Sequence, residues 1–297
     1  MIRRLKYNEI DFEKYTDCLE NSEQRKYSAT KLFLDITSDK QWELLVYGDY
    51  EAVMPVAFIK RIGIKLVINP KLCQQLGVFS KTDNIEINDR FLQFFREKYN
   101  IWYYAFNDRN KFSEPLQLRK NFLIYPEKYE TVRQKYSPKR KRKLRLDEEV
   151  STHSKIMETK IKDAETFISA NFIGAKDNND KAHFLEIFTN LENSGHLKIV
   201  AFVYKEKIIN TIAVFFDEKT VALLGTFNDK DYVKLSGAST IIDHVIAQNI
   251  AQKIFDFEGS EVPAIEEFFR GFRPELKMYP VIANSKKDVI RKTLKLF

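Results

Sequence analysis

Leu76-Gly77-Val78-Phe79 returns half a chain length later as Leu224-Gly225-Thr226-Phe227, in a chain of 297 residues. The surroundings of the phrase return with it. An apolar hairpin pattern precedes each copy, over 42–58 and over 197–216. A helical stretch and an aromatic strand follow each, ending in Trp102-Tyr103-Tyr104-Ala105-Phe106 and in Ile254-Phe255-Asp256-Phe257. Four residues alone would carry little, but the same order of elements around both copies marks an internal duplication. Two halves of about 150 residues are each large enough to hold a core.

Period and punctuation give the elements. In the first half, strands are expected near 2–7, 43–47, 52–60 and 65–68, with Gly48-Asp49 turning a hairpin. Helices are expected at 11–20 and 88–99, the second with Phe91, Leu92, Phe94, Phe95 and Tyr99 on its apolar side. A strand at 101–106 closes this half, and another at 122–125 stops at Pro126. Two helices follow, at 127–135 and 137–149, the second opened by Ser137-Pro138. The second half then reads as a strand at 152–158, helices at 163–171 and 180–194, and strands at 198–204, 208–216 and 220–226. It continues with a helix at 237–251, a strand at 254–257, a helix at 262–270 ended by Gly271, and a last strand at 277–282. Antiparallel hairpins followed by strand–helix–strand predict an α/β protein with mixed (α+β) sheets. The expected division is a first domain at 1–126, a basic helical connector at 127–150, and a second domain at 151–297.

Composition narrows the class. Hydrophobic residues make up 44% of the chain and charged residues 31%, which suits an ordinary globular protein. No apolar run approaches the roughly 18–20 residues that span a bilayer. The basic start, Met1-Ile2-Arg3-Arg4-Leu5-Lys6-Tyr7, lacks the apolar core of a signal peptide, and a cytoplasmic location is expected. Cys18 and Cys73 are too few for a disulfide framework. The histidines (His153, His183, His196 and His244) show no metal spacing, so no metal is expected. The net charge of +7 is concentrated in one place. Arg133, Lys135, Lys139, Arg140, Lys141, Arg142, Lys143 and Arg145 supply eight positive charges with no acid among them, and the rest of the chain balances to within one charge. A polyanion partner would contact Lys139–Lys143; an ordinary solvated helix face is the alternative.

The two copies diverge after the shared phrase. Beyond Phe227, Lys234-Leu235-Ser236-Gly237-Ala238-Ser239 opens a helix with small residues, a geometry that offers free backbone N–H groups to a phosphate. Residues 81–88 of the first copy have no glycine and carry acids and amides near the helix start. If either half keeps an anion site, it is the second. The plainer reading is that Ser236-Gly237 simply caps a helix.

That hexapeptide resembles the (Arg or Gln)-x-x-Gly-x-(Gly or Ala) pyrophosphate loop of the GNAT acyltransferases, with Lys at its first position and Ser at its last. Phe255-Asp256-Phe257-Glu258-Gly259-Ser260, followed by Phe268-Phe269-Arg270-Gly271-Phe272, resembles the C-terminal signature of GNAT-like and FemABX-like acyltransferases with two GNAT-type domains in tandem. Tyr136-Ser137-Pro138-Lys139-Arg140-Lys141-Arg142-Lys143 is similar to the Ser-Lys-x-x-Arg-Arg region that such proteins place between domains.

The resemblance implies two tandem GNAT-like domains and transfer of an acyl group to an amine acceptor bound between them. The donor is acyl-CoA (acetyl-CoA) in GNAT members. In FemABX-like members it is aminoacyl-tRNA, acting on a peptidoglycan precursor, which would bring tRNA or a nucleotide-linked acceptor to the basic helix. A scaffold that has lost catalysis is a third alternative. In the GNAT-like geometry the N–H groups of Leu224, Gly225, Thr226 and Phe227 line the thioester arm, and the splay of this strand from 254–257 opens a slot. Lys234, Leu235, Ser236, Gly237, Ala238 and Ser239 would then hold the pyrophosphate.

Glu258 is the candidate base, or an acid favoured by the next helix's dipole. Asp256 is a second base or a structural acceptor. Tyr279 is the candidate acid for the thiolate, or a half-buried strand residue. Phe269, Arg270, Phe272 and Arg273 form an aromatic–basic cluster suited to an acceptor carboxylate or phosphate, or to packing and surface charge. On this reading Gly237→Asp abolishes coenzyme A binding and leaves the fold intact.

Overall fold

The computed structural model describes residues 1–61 and 63–295. They form two compact units, one of Met1–Lys120 with the chain from Met278 onward, the other of Asn121–Lys277. The expected cuts were at 126 and 150. Instead the basic connector belongs to the second unit, and the last strand and helix belong to the first.

The chain begins with β1 (Ile2–Leu5), α1 (Phe12–Glu20), α2 (Lys31–Ser38), β2 (Trp42–Tyr47), β3 (Ala52–Arg61), β4 (Ile64–Val67) and β5 (Phe79–Ser80). It continues with α3 (Ile85–Lys98), β6 (Asn100–Ile101), β7 (Tyr103–Ala105) and β8 (Gln117–Ile124). In the first unit the sheet runs β1-β2-β3-β4-β6, with β5 beside the start of β3. All pairs are antiparallel except β4 with β6. Trp42, Tyr15, Phe33, Phe79, Phe91 and Phe95 are buried in its core.

Next come α4 (Tyr129–Lys135), α5 (Pro138–Lys143), α6 (Glu148–His153), β9 (Ser154–Thr159), α7 (Ile161–Ala170), α8 (Asn178–Asn193), β10 (Leu197–Tyr204), β11 (Lys207–Phe216) and β12 (Thr220–Asn228). The rest is α9 (Gly237–Asn249), β13 (Ile254–Asp256), α10 (Pro263–Arg270), β14 (Glu275–Ala283) and α11 (Lys286–Lys295). The helix expected over 137–149 is two helices with a break between Lys143 and Glu148, and α2 and α11 were not anticipated.

Within the second unit β9, β10, β11 and β12 pair antiparallel in order. β12 then pairs parallel with β13, and β13 antiparallel with the end of β8. The order of elements in β9–β13 repeats that of β1–β7: strand, two helices, hairpin, third strand, helix, parallel strand. The fold is thus a mixed α/β duplication. Each repeat, however, takes its closing strand from the other half of the chain. Leu123 and Ile124 of β8 pair with β13 in the second unit, whereas Val281–Ala283 of β14 pair with β7 in the first.

Helix α9 lies against β10 and β11. Ile241, Ile242, Val245 and Ile246 are buried there with Phe202, Ile212 and Val214. This packing fixes the direction of α9 and hence where its N-terminus points.

Candidate functional site

The two copies of the opening phrase have different backbones. In the second, Leu224–Phe227 lies inside β12, whose register with β11 steps between Ala213 and Val214, opposite Gly225 and Leu223. Leu224 is therefore the extra residue of a bulge, which bends the strand. β13 pairs with β12 only over Thr220–Ala222. β13 itself ends at Asp256, and among the described residues no strand pairs with the β13-side edge of Leu223–Phe227.

In the first copy Gly77 has φ +122°, and its N–H donates to the Tyr104 hydroxyl at 3.0 Å. The Asn110 carboxamide takes both groups of Val78, accepting from N–H at 3.0 Å and donating to C=O at 2.8 Å. A side chain thus occupies peptide groups that β12 leaves available in the second copy.

The second unit holds a cavity of about 580 Å³ at the N-terminus of α9. Ser236, Gly237, Ala238 and Ser239 line it, and Ser236, at φ +65°, turns the chain into the helix without bonding its side chain to the first turn. The first N–H groups of an α-helix have no partners within the helix and carry the positive end of its dipole. Lys139, Arg140, Lys143, Arg270 and Arg273 also line the cavity, against one carboxylate, Glu267. Lys139 pairs with Glu267 at 3.0 Å, and Arg270 with Glu266 at 2.7 Å. The wall opposite carries Asn210 and Asn228, a cross-strand pair joined by a hydrogen bond of 2.8 Å.

Three groups of residues far apart in the sequence therefore meet: the small-residue loop, part of the basic connector, and the two arginines after Gly259. The run 139–143 is divided by the helical period. Lys139, Arg140 and Lys143 reach the cavity, while Lys141 bonds to the Gln134 carbonyl at 2.6 Å and Arg142 is exposed. The five basic residues do not share one exposed face, and Arg140 is only 6% exposed. Its guanidinium donates to Ser239 Oγ and, at 2.7 Å, to the Phe268 carbonyl. It also lies 4.1 and 4.2 Å from the ring centroids of Phe268 and Phe272. Reading residues 139–143 at 3.6 residues per turn would have exposed this division.

Other expected site residues fall elsewhere. Lys234 is exposed, and neither it nor Leu235 lines the cavity. Leu224, Gly225, Thr226 and Phe227 do not line it either; Phe227 packs with Phe172 and Phe188. Gly237 is buried, and a Cβ there would land on the Asn210 carboxamide and 2.8 Å from the Phe202 ring. Gly237→Asp would therefore disturb packing as well as charge, so it does not isolate anion binding.

Phe269 and Phe272 are core residues packed on Phe257. Asp256, 1% exposed, accepts from the Glu258 N–H at 2.8 Å. This bond holds a turn in which Glu258 and Gly259 both adopt positive φ, +62° and +67°. Tyr279 is buried with Ala105 and Val281 in the first unit. Among the described residues no group of three or more His, Cys, Asp or Glu side chains is placed to hold a metal ion. No helix there is long and apolar enough to cross a membrane.

No protein-family model matches the chain, and no curated protein sequence does. Solved structures do. FemX superposes with a TM-score of 0.66 at 10% identity, over 93% of this chain and 96% of its own. A conserved protein of unknown function from Bacteroides thetaiotaomicron gives 0.57 at 10% identity, over 96% of this chain and all of its own. A tandem GNAT protein from the clavulanic acid biosynthesis pathway gives 0.54 at 9%, over 95% and 97%. At such identities the likeness is one of architecture: this chain has the tandem GNAT-like fold of FemX and of the clavulanic acid pathway protein.

Proposed function

We propose that the protein is an N-acyltransferase that moves an acyl group from acyl-CoA, held in the second unit, to an amine. The observation that carries this reading is the meeting of an uncapped helix N-terminus with five cationic side chains around one cavity. A pyrophosphate there would accept from the N–H groups of Gly237–Ser239, and the cationic wall would balance its charge. The pantetheine arm would then follow the open edge of β12 over Leu223–Phe227, where its amides find peptide groups that β13 does not take.

For the reaction, a neutral amine attacks the thioester carbonyl, a C–N bond forms, the C–S bond breaks, and the thiolate takes up a proton. Glu258 is the proposed base, receiving the amine proton directly or through water, and Asp256 positions it by fixing the turn. Tyr279 is given no part in this chemistry.

A second reading, an aminoacyl-tRNA donor, is favoured by the basic residues that the cavity does not use. Arg133, Arg142 and Arg145 are exposed on the connector.

Ala238→Asp tests the donor assignment. A carboxylate in the first turn of a helix suits the dipole, so the fold should keep its stability while the anion site gains a repelling charge. Coenzyme A affinity measured by calorimetry should fall at least about tenfold, an interaction change near 1.4 kcal/mol. Unchanged affinity in a stable Ala238→Asp protein would remove the pyrophosphate from this helix. Binding of aminoacyl-tRNA without binding of coenzyme A by the wild type would favour the second reading.

A further inference from the structure

Arg140 is a buried charge with no carboxylate in direct ion-pair contact among the described residues. Its hydrogen-bond acceptors are a hydroxyl and a carbonyl, its flat faces meet two phenylalanine rings, and its buried Nε has no partner. The nearby acid, Asp243, stands one turn along α9 from Ser239; its Oδ2 accepts from the Tyr129 hydroxyl at 2.8 Å and its buried Oδ1 has no hydrogen-bond partner, so it offsets part of the Arg140 charge without bonding to it. Burial pushes the Arg140 pKa down to about 10, against the opposing pull of Tyr136 and Asp243, and the group stays protonated at neutral pH. Holding such an ion away from water without a paired carboxylate is costly.

The surroundings are nonetheless shaped around it. Gly271 has an ordinary helical φ of −59°, so no turn requires glycine there. A Cβ at that position would stand 3.0 Å from both Nε and one Nη of Arg140. The Ser137 N–H donates to the Gly271 carbonyl at 3.0 Å, and Ser137 Oγ caps the turn that carries Arg140. On the opposite wall, Asn210 Oδ1 is a second buried polar atom without a partner.

We propose that Arg140, delivered by the connector rather than by the loop before α9, is the charge receptor of this cavity, and that its direct ion-pair partner is a pyrophosphate-type group of the ligand. Lys234, at the first position of the loop, points into solvent and does not serve this role. The inference rests on the cavity described above but not on coenzyme A, because any diphosphate ester presents the same group. Anion binding and stability are then linked: the protein carries an incompletely neutralised buried charge when empty and gains stability when the anion fills the site.

The test uses the full chain at low salt with inorganic pyrophosphate, coenzyme A and UDP as probes, read by thermal unfolding and calorimetry. Pyrophosphate should raise the wild-type Tm saturably. Arg140→Met should have an unliganded Tm no lower than the wild type, and should bind pyrophosphate on the order of tenfold to a hundredfold more weakly, the range of a lost charge-assisted hydrogen bond. Arg140→Lys, which keeps the charge without the planar fork, should fall between the two. Lys234→Ala should lose less than Arg140→Met.

An absent wild-type response to pyrophosphate overturns the proposal. So does an Arg140→Met protein that is destabilised or unfolded, since the side chain would then be a structural strut, or one that responds to pyrophosphate as the wild type does. A greater loss in Lys234→Ala also overturns it. Pyrophosphate and UDP binding that depends on Arg140, without coenzyme A binding, upholds the receptor and removes the acyl-CoA donor. Coenzyme A binding that ignores Arg140 does the reverse.

Discussion

Gly237 and Gly271 are both glycines of the cavity wall, and neither is there for a positive φ. Each leaves a space that a side chain fills, Asn210 and Phe202 against Gly237, and the Arg140 guanidinium against Gly271. Gly237→Ala should therefore destabilise the protein by about 1–3 kcal/mol, the usual cost of overpacking, even though alanine favours a helix over glycine. Chemical denaturation measures this directly; an alanine variant as stable as the wild type would mean that Asn210 can move aside. The Ser236–Ser239 loop was legible in the sequence because small residues before an apolar helix face are a local pattern. The occupants of the space they leave were not, since Asn210 and Phe202 come from β10 and β11 and Arg140 from a helix nearly a hundred residues upstream. At Asp256 and Glu258 the structure adds a local bond: the buried Asp256 carboxylate closes the turn by accepting from the Glu258 N–H.

Helix and strand positions follow from periodicity, and most expected elements are present within a few residues. The connector is the instructive departure. A continuous run of helix-favouring Lys and Arg residues reads as one helix, but the break between Lys143 and Glu148 lets α5 end while Leu144 and Leu146 pack on the second unit's core. Pairing partners of β8 and β14 were illegible for a different reason, because nothing in a strand's own sequence names the edge it joins. The exchange has a consequence for fragments. Residues 127–297 lack β8, which brings Phe122 and Ile124 to the core beside β13, whereas Asn121–Lys277 contains both partners. The fragment 121–277 should unfold cooperatively on heating and the fragment 127–297 should not. Equal cooperativity in both would show that β8 contributes little.

Across the whole chain, duplication has produced one closed copy and one open one. In the first unit the Leu-Gly-x-Phe segment is tied down by Tyr104 and Asn110. In the second unit the same phrase forms the bulged strand β12, with an open edge leading toward the uncapped start of α9. That asymmetry supports the proposed donor site in the second unit.

Amide hydrogen exchange with and without acetyl-CoA tests it most directly, because the N–H groups of Gly237–Ser239 should be open in the free protein. Saturating acetyl-CoA should slow exchange in a peptide covering 236–240 and along 223–227, with no change at 76–79. Unaltered exchange at 236–240 under acetyl-CoA, or protection confined to the first copy, would contradict it.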